Sequence, residues 1–296
     1  MKCLFLYNPK SGKEKVAKNL DYIISRLKEK FEIIDVHPST SREDFIEVAR
    51  NSCGKYDYLV FSGGDGSYNL VVNAIAEEEN QPILGYIPSG TCNDVAGNMK
   101  IPSKSIKKCL DIILNNNYIE HDVFKINDEY CIYVAALGDL AELSYSTGHA
   151  AKKKFGKIGY YISGTKKIFK KPEHNSIEII IDGVPYHFDT PLCLIANSRS
   201  IAGFKFNKSG YRNDGMLDIF VVKGTGFKGL FNMAFLFLRG LLKLKTEKVA
   251  YSFRSNNILV KGPSDKHWSF DGEEGLSGNI EVKCYHNQIK VISNSK

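Results

Sequence analysis

"YLVFSGGDGSYNLVVNAI", residues 58–75, joins a buried-looking strand to an apolar helix through three glycines and an aspartate. One glycine would be enough for a tight turn, whereas Gly63, Gly64 and Gly66 leave a stretch of backbone without side chains. Successive backbone N–H groups in such a loop form an anion-binding nest, and the following helix points its positive N-terminus at the same place. The stretch therefore indicates a phosphate-binding loop, with a plain strand-to-helix turn capped by Asp65 as the alternative.

Strand and helix signals alternate through residues 1–125. The predicted strands are KCLFLYNP, EIIDVH, YDYLVFS and PILGYIPSG, and amphipathic helices are predicted between them, one of them over KEKVAKNLDYIISRLKEKF and another capped by Ser41. This alternation predicts a parallel, doubly wound sheet, in which ligands bind beyond the carboxyl ends of the strands. Two further loops, NPKSGK and IPSGTCND, fall at those ends, so three loops converge on one predicted nucleotide site. The sequence contains neither a GxxxxGK[ST] P-loop nor a GxGxxG motif.

The pattern changes near residue 125. Short strands with hairpin signals such as NDE and DGV follow, interrupted by helix-like insertions near 149–169 and 228–243. We predict an α/β domain over residues 1–125 and an all-β sandwich or barrel with helical insertions over residues 126–296. As an alternative for the last residues of the second domain, we consider packing against the first domain.

Composition narrows the partners and the compartment. The 296 residues carry a net charge of +7, which suits a nucleotide, an anionic membrane or nucleic acid. Seven scattered cysteines without a CxxC motif predict neither disulfides nor a zinc site and favour a reducing cytoplasm. The apolar run near Met1 is too short for a signal peptide. The stretch 229–245 contains Asn232 and Arg239 and falls short of the roughly 20 apolar residues of a membrane span. We therefore expect a cytoplasmic protein that is at most peripherally associated with membranes.

Five motifs carry a family resemblance: NPKSGK, GGDGSYNLVVNAI, PSGTCNDVA, YRNDGMLDIFVV and FDGEEG, in this order. They resemble the diacylglycerol kinase catalytic-domain family, and most of all its soluble bacterial lipid kinases, over essentially the whole chain. The resemblance implies an ATP-binding α/β domain of the kind that NAD kinase also has, a β-sandwich domain, and an active site in the cleft between the two. It implies ATP and Mg²⁺ as cofactors and a membrane lipid as acceptor, with diacylglycerol, giving phosphatidic acid, as the favoured one.

The resemblance assigns the glycine loops to ATP. A carboxylate such as Asp65 would repel phosphate unless a cation lay between them, so Asp65 is expected to organise Mg²⁺. Ser67 stands where the family more often has threonine, which keeps the hydroxyl. After the second strand, the sequence HPSTS contains two candidates for a nucleotide contact that relatives make with a Ser or Thr, namely Ser39 and Thr40. The sequence does not distinguish between them, and Thr40 is included in the predicted set. The predicted nucleotide-binding set is Asn8, Pro9, Lys10, Ser11, Gly12, Thr40, Gly63, Gly64, Asp65, Gly66, Ser67, Tyr68, Asn69 and Thr91.

NDGMLD matches a stretch that binds a structural Mg²⁺ in relatives. The resemblance gives the carboxylate of Asp214 and the carbonyls of Tyr211 and Met216 as ligands. The alternative is a turn that opens the strand MLDIFVV, for which Asn-Asp-Gly is well suited.

WSFDGEEG matches the DGE motif of the family. By resemblance, Glu273 is the general base that removes the proton of the lipid hydroxyl, with Asp271 and Asp122 as supporting carboxylates. From the residues alone, DGE is a hairpin turn.

The segment 151–172 contains eight lysines and no acidic residue, interleaved with aromatic and aliphatic residues. This pattern predicts contact with an anionic membrane, to which each lysine would contribute about 1 kcal/mol, or else a solvated basic face. The apolar stretch 229–245 is a second candidate for the membrane, although a core helix is the preferred interpretation.

Several alternatives to a diacylglycerol kinase stay open. They are a kinase for phosphatidylglycerol or a sphingoid base, an NAD kinase-like enzyme, and a nucleotide- or membrane-binding protein without turnover. Nucleic acid is not an expected partner because no recognition element is present. The sequence does not distinguish a monomer from a homodimer.

Overall fold

The computed structural model describes residues 1–138, 174–201, 204–205, 207, 213–242 and 246–294. The chain divides into two compact units, of which unit 1 comprises Met1–His121 with Asn287–Lys296 and unit 2 comprises Asp122–His286. The basic segment 151–172 and the predicted helical insertion near 149–169 lie outside the described residues.

Unit 1 contains a parallel sheet with the strand order β2–β1–β3–β4. Its strands are β1 (Lys2–Tyr7), β2 (Ile33–Pro38), β3 (Tyr58–Gly63) and β4 (Ile83–Pro88). β3 is buried throughout and β1 at every residue except Lys2, as expected for strands that helices cover on both faces. The residues of β18 (Ile280–Ile292) that belong to this unit run parallel to β4, with Val291 opposite Leu84. The predicted parallel α/β unit is therefore confirmed.

The helices of unit 1 that the structure describes follow the strands in chain order. They are α1 (Leu20–Leu27), α2 (Arg42–Arg50), α3 (Asp65–Ile75), α4 (Asp94–Asn98) and α5 (Ile106–Asn115). Ser41 caps α2 as predicted, since its hydroxyl accepts a hydrogen bond of 3.1 Å from the N–H of Asp44. The predicted start of the first helix is wrong, because 3-10 turns occupy Ser11–Glu14 and Ala17–Asn19. Glu14 has a φ of 61°, which takes the chain out of the helical path.

Unit 2 is built from antiparallel strands. They are β5 (Tyr118–Ile126), whose first residues belong to unit 1, β6 (Glu129–Cys131), β7 (Val134–Gly138), β8 (Asn175–Ile181), β9 (Val184–Thr190), β10 (Leu192–Ala196), β11 (Ser200–Ile201), β12 (Phe204–Lys205), β13 (Leu217–Val222), β14 (Ala250–Ser255), β15 (Asn257–Lys261), β16 (His267–Phe270), β17 (Glu273–Ser277) and the first part of β18. One sheet has the order β14–β13–β10–β7–β16–β17, and in the other β18, β15, β8 and β9 are neighbours while β5 pairs with β18 and β6. Helix α6 (Gly226–Leu242) follows β13.

The inner faces of both sheets share one apolar core, as the alternation of the strands predicts. Trp268 is fully buried in it, together with residues from both sheets such as Ile179, Ile219 and Val260. The DGV hairpin signal is confirmed at the β8–β9 turn, where Asp182 and Gly183 have φ values of 51° and 80°.

All seven cysteines are free thiols in the structure. Burial raises the pKa of the Cys193 thiol to about 12. Among the described residues, none of the helices is long and apolar enough to span a bilayer.

Candidate active site

Glycines allow two of the predicted loops of unit 1 to pack backbone against backbone. A Cβ atom on Gly90 would lie 2.5 Å from the Cα of Gly64, and one on Gly63 would lie 2.2 Å from the side chain of Ser67. The N–H of Ser89 donates to the carbonyl of Gly63 at 2.8 Å. Gly66 has open space where a side chain would begin. Gly63 and Gly90 are therefore required by packing, whereas Gly66 leaves the outer surface of the loop without a side chain.

A chain of hydroxyls connects all three predicted loops. The hydroxyl of Ser62 donates to Ser89 at 3.1 Å, and the hydroxyls of Ser89 and Ser11 lie 3.0 Å apart. Ser62, which lies in β3, and Ser89, which follows β4, were not among the predicted site residues, and a serine at such a position carries no signal that would have singled it out. The carboxyl ends of β1, β3 and β4 thus meet within unit 1.

Asp65 ties the glycine loop to the loop after β4. Its Oδ2 accepts from the N–H of Asp94 and its Oδ1 from the N–H of Val95, both at 3.0 Å. These amides open α4, whose N-cap residue Asn93 is left-handed with a φ of 53° and makes no side-chain cap of its own. The carboxylate therefore caps a helix that begins almost thirty residues later, rather than the helix in which it lies. Asp94, a buried carboxylate that the sequence analysis did not select, sits at the same point.

The other predicted nucleotide residues of unit 1 differ in exposure. Asn8, Lys10 and Thr91 are exposed, and the Oδ1 of Asn8 accepts from the N–H of Lys10 at 2.9 Å, which shapes the first loop. Pro9, Ser11, Ser67 and Asn69 are half-buried, and Gly12 lies in the first 3-10 turn.

Tyr68 is fully buried, and its ring packs against those of Phe61 and Tyr86 at centroid distances of 5.7 and 5.2 Å. Its side chain belongs to the core beneath the glycine loop. Only the backbone of Tyr68 is in a position to contribute to a nucleotide site.

Ser39 and Thr40 are separated by exposure. Ser39 is buried and its N–H donates to the carbonyl of Tyr7 at 2.8 Å, whereas Thr40 is exposed. Asp44 accepts from both the N–H and the hydroxyl of Thr40, at 2.7 and 3.2 Å, and lies 3.0 Å from the Nε2 of His37. The hydrogen bond from the Thr40 backbone, followed by that from His37, lowers the pKa of Asp44. Thr40 is thus the better placed of the two candidates for contact with a ligand.

Asp122 is a fully buried hub of unit 2. Its Oδ2 accepts from the N–H of Gly215 at 2.7 Å, and its Oδ1 lies 3.0 Å from the Nδ1 of His286. Its carbonyl accepts from the Nδ2 of Asn197 at 2.7 Å. Gly215 has a φ of 72°, and a Cβ there would lie 3.3 Å from the imidazole of His286. Asp122 therefore positions the NDG turn.

Asp271 fixes the DGE turn. Its carboxylate accepts three backbone hydrogen bonds, from Ile132 at 2.8 Å, Tyr133 at 3.0 Å and Val134 at 3.1 Å. The phenol of Tyr133 in turn donates to the carbonyl of Asp271 at 3.0 Å. Glu273 opens β17 and is exposed. The turn is thus a hairpin, and it holds the carboxylate of Glu273 where a substrate could reach it.

Asp214 and Met216 lie on the turn that was predicted to bind a structural metal, whereas Tyr211 lies outside the described residues. The Oδ1 of Asp214 accepts from the N–H of Met216 at 3.1 Å, and its Oδ2 is hydrogen-bonded to the guanidinium of Arg254. No cluster of three or more histidine, cysteine or acidic side chains suited to a metal occurs among the described residues. Within the described part of this turn, the carboxylate of Asp214 is paired with the positive charge of Arg254, and the metal site stays a prediction.

Arg254 also pairs with a second aspartate. Its Nε lies 3.2 Å from the Oδ1 of Asp218, whose Oδ2 accepts from the Nδ2 of Asn207 at 2.6 Å. Burial raises the pKa of Asp218, and the bonds from Asn207 and Arg254 oppose that shift. The guanidinium of Arg254 thus bridges two carboxylates.

The fold and these loops define a class of protein: an α/β nucleotide-binding unit combined with a β-sandwich unit that presents carboxylates on tight turns. Residues 2–126 match the diacylglycerol kinase catalytic domain. The chain is 30% identical over 289 residues to a diacylglycerol kinase of Bacillus subtilis, covering 97% of this chain and 94% of the relative. It is 33% identical over 281 residues to that of Staphylococcus saprophyticus, covering 93% and 90%. A crystal structure of a Bacillus anthracis diacylglycerol kinase aligns with a TM-score of 0.82 at 28% identity, over 99% of this chain and 97% of that one. The chain belongs to the diacylglycerol kinase family.

Proposed function

We propose that this protein is an ATP-dependent lipid kinase that transfers the γ-phosphate of MgATP to the hydroxyl of diacylglycerol, giving phosphatidic acid and ADP. The observation that carries the proposal is the meeting of the three loops of unit 1 through glycine contacts and the Ser62–Ser89–Ser11 hydroxyl chain, in a member of this family.

The loops supply the groups that a triphosphate needs. Backbone N–H groups around Gly64 and Gly66 and the N-terminus of α3 attract phosphate oxygens, and no side chain on Gly66 obstructs their approach. Asn8, Thr40 and Thr91 are exposed and supply further polar contacts. ATP would bring Mg²⁺ with it, and Asp65 and Asp94 are the carboxylates of unit 1 that we propose organise this ion. Asp65 would bind the ion with oxygens that also accept the hydrogen bonds of Asp94 and Val95, the first residues of α4.

Glu273 is the proposed general base. Its carboxylate would take the proton of the lipid hydroxyl as that oxygen attacks the γ-phosphorus, while the bond from phosphorus to the bridging oxygen of ADP breaks. Phosphoryl transfer depends mainly on positioning, and Asp271 provides it by anchoring the turn that carries Glu273. Asp122 contributes in the same indirect way by holding the NDG turn.

The test measures ATP consumption with Mg²⁺ over mixed micelles that carry diacylglycerol, phosphatidylglycerol, a sphingoid base or no lipid, with NAD as a further acceptor. We expect turnover with diacylglycerol. Turnover with another lipid alone would keep the lipid-kinase class and change the acceptor, and turnover with NAD would overturn the proposal.

Glu274 offers a matched control for the base. Glu273 and Glu274 are adjacent, and both are exposed. Glu273→Gln should lower turnover at least about 100-fold, the usual contribution of a general base, and leave ATP binding unchanged. Glu274→Gln should stay within twofold of the unaltered protein. Full activity of Glu273→Gln would remove Glu273 from the role of base.

A further inference from the structure

Helix α6 is apolar on two opposite faces. Gly229, Met233 and Leu236 are buried. Phe227, Phe231 and Phe235 follow one another at intervals of four residues and are 73%, 64% and 39% exposed. Residues at this spacing form one stripe along a helix. The phenylalanine stripe, Phe227, Phe231 and Phe235, therefore points away from the unit to which the helix belongs.

The helix is held in this orientation. A Cβ on Gly229 would lie 2.7 Å from the carbonyl oxygen of Gly224 and 2.9 Å from the ring of Pro191, so the helix approaches its support as closely as glycine allows. The Nδ2 of Asn232 donates to the carbonyl of Lys223 at 2.7 Å, which fixes the helix to the end of β13. Rolling the aromatic rings inward would break both contacts, so their exposure is built into the packing.

A surface helix of a globular protein normally presents polar residues to water, and exposed apolar patches mark sites of interaction. The charge of this part of the sequence and the exposure of Lys228 indicate what covers the stripe. Residues 223–245 contain five basic residues and no acidic residue, and Lys228, next to Phe227, is exposed. An apolar pocket on another protein would cover the rings but would not need these cations. An anionic bilayer accommodates both, with aromatic rings at the boundary of headgroups and acyl chains and lysines among the phosphates.

We propose that the phenylalanine stripe of α6 is a membrane-docking surface that inserts into an anionic bilayer while the helix lies parallel to it. The proposal supplies the route to the lipid acceptor and in that respect rests on the proposed function. The buried face of the helix agrees with the core interpretation of this stretch, and the proposal concerns the opposite face, which the described residues leave exposed.

The first experiment is vesicle sedimentation with phosphatidylcholine vesicles containing 30% phosphatidylglycerol, compared with pure phosphatidylcholine. Phe231→Ala should bind the anionic vesicles about tenfold more weakly, given the area that a ring with this exposure can bury, and the Phe227→Ala/Phe231→Ala double variant about 50-fold more weakly. Tyr22→Ala, which removes an exposed aromatic ring of α1 in unit 1, should change binding less than twofold. Since the rings are exposed, the thermal unfolding of the variants should match that of the unaltered protein.

A second arm separates this proposal from the proposed function. With short-chain diacylglycerol dissolved below its micelle concentration, the double variant should turn over at the unaltered rate, whereas its turnover on vesicles should fall with its binding. Vesicle binding by the double variant equal to that of the unaltered protein would overturn the docking surface. The docking surface would also be overturned if the unaltered protein formed a homodimer in solution and the double variant were a monomer. If the unaltered protein bound vesicles through the stripe but phosphorylated no lipid, the docking surface would stand and the proposed function would fall.

Discussion

The DGE turn provides a sharp test of the distinction between a carboxylate that reacts and one that positions. Asp271 accepts the amides of Ile132, Tyr133 and Val134 at 2.8, 3.0 and 3.1 Å, and all three donor residues are buried. In Asp271→Asn, the remaining oxygen could still accept from Tyr133 and Val134. The new NH₂ group, however, would face the N–H of Ile132, so that two donors meet and neither is satisfied.

The magnitude follows from these contacts. A hydrogen bond to a charged group contributes about 1.5–3 kcal/mol, and a buried donor left unsatisfied costs a similar amount. Losing one such bond and weakening the other two should lower the free energy of unfolding by about 3 kcal/mol in Asp271→Asn. Asp271→Ala leaves all three amides without this acceptor and should cost about 5 kcal/mol. For a unit of this size, the first change corresponds to a drop of roughly 6–12 °C in Tm.

The chain contains a single tryptophan, and Trp268 is fully buried in the core of unit 2. Its fluorescence during urea unfolding therefore reports on the unit that contains Asp271. Kinase turnover is measured on the same samples, and Asp265→Asn, a change at an exposed aspartate before β16, is the control that should leave both signals unaltered.

We expect Asp271→Asn to lose stability and turnover together, because Glu273 lies two residues beyond the anchored position. If turnover vanished while the urea midpoint stayed at the unaltered value, the carboxylate would act directly on the reaction and its positioning role would be refuted. If the variant retained both its stability and its turnover, both the catalytic and the positioning role of Asp271 would be refuted.

Two further predictions concern charged residues whose partners cannot be read from the sequence. Arg254→Ala removes the cation between the half-buried Asp214 and the buried Asp218. The Tm of this variant should fall and should then rise again on addition of MgCl₂, whereas the Tm of the unaltered protein should respond to neither EDTA nor MgCl₂. Asp44→Ala removes a carboxylate whose pKa is lowered in the folded state by the Thr40 amide and by His37. The stability that it contributes is complete above 3.8, the usual pKa of an aspartate, and is lost as pH falls through the lower pKa of the folded state. Urea midpoints of Asp44→Ala and the unaltered protein should therefore differ at pH 6 and converge in strong acid.

The contrary results are equally specific. A loss of Tm in the unaltered protein on addition of EDTA, abolished by Asp214→Asn, would mean that the predicted metal occupies the NDG turn in spite of Arg254. A difference between Asp44→Ala and the unaltered protein that does not change between pH 6 and strong acid would show that the charge of this carboxylate plays no part in its contribution.

The architecture could be predicted because its signals are local. Apolar runs such as β1 and β3, separated by amphipathic segments, are read directly from hydrophobic periodicity, and so are the short strands of unit 2. The start of α1 could not be read in this way. The helical pattern of the sequence begins at Lys13, but the left-handed Glu14 interrupts the helix, and α1 begins only at Leu20. In α6 the sequence did not show which of the two apolar faces is exposed. A helix with two apolar faces has no polar stripe to mark which face is outside.

The site shows the same division. The type of each residue was visible, but the partners of the carboxylates are distant along the chain. Asp65 bonds to amides 29 and 30 residues later, Asp122 to an amide 93 residues away, and Asp271 to amides up to 139 residues away. Sequence reasoning therefore marked these aspartates for chemistry, and the structure adds the support that each gives to a loop or turn. No local pattern could have paired Arg254 with Asp214.

Unit 1 is assembled from two separate stretches of the chain. Val291 pairs with Leu84 of β4, and Ser293 bonds through its N–H to the carbonyl of Asn117 and through its hydroxyl to that of Met99, both at 2.9 Å. On the ribosome, residues 1–121 and the whole of unit 2 emerge before these contacts can form. Until then one edge of β4 stays open, and an open strand edge can pair with the wrong chain. The unit that translation starts first is thus the one that it completes last, and the nascent chain would benefit from a chaperone during that interval.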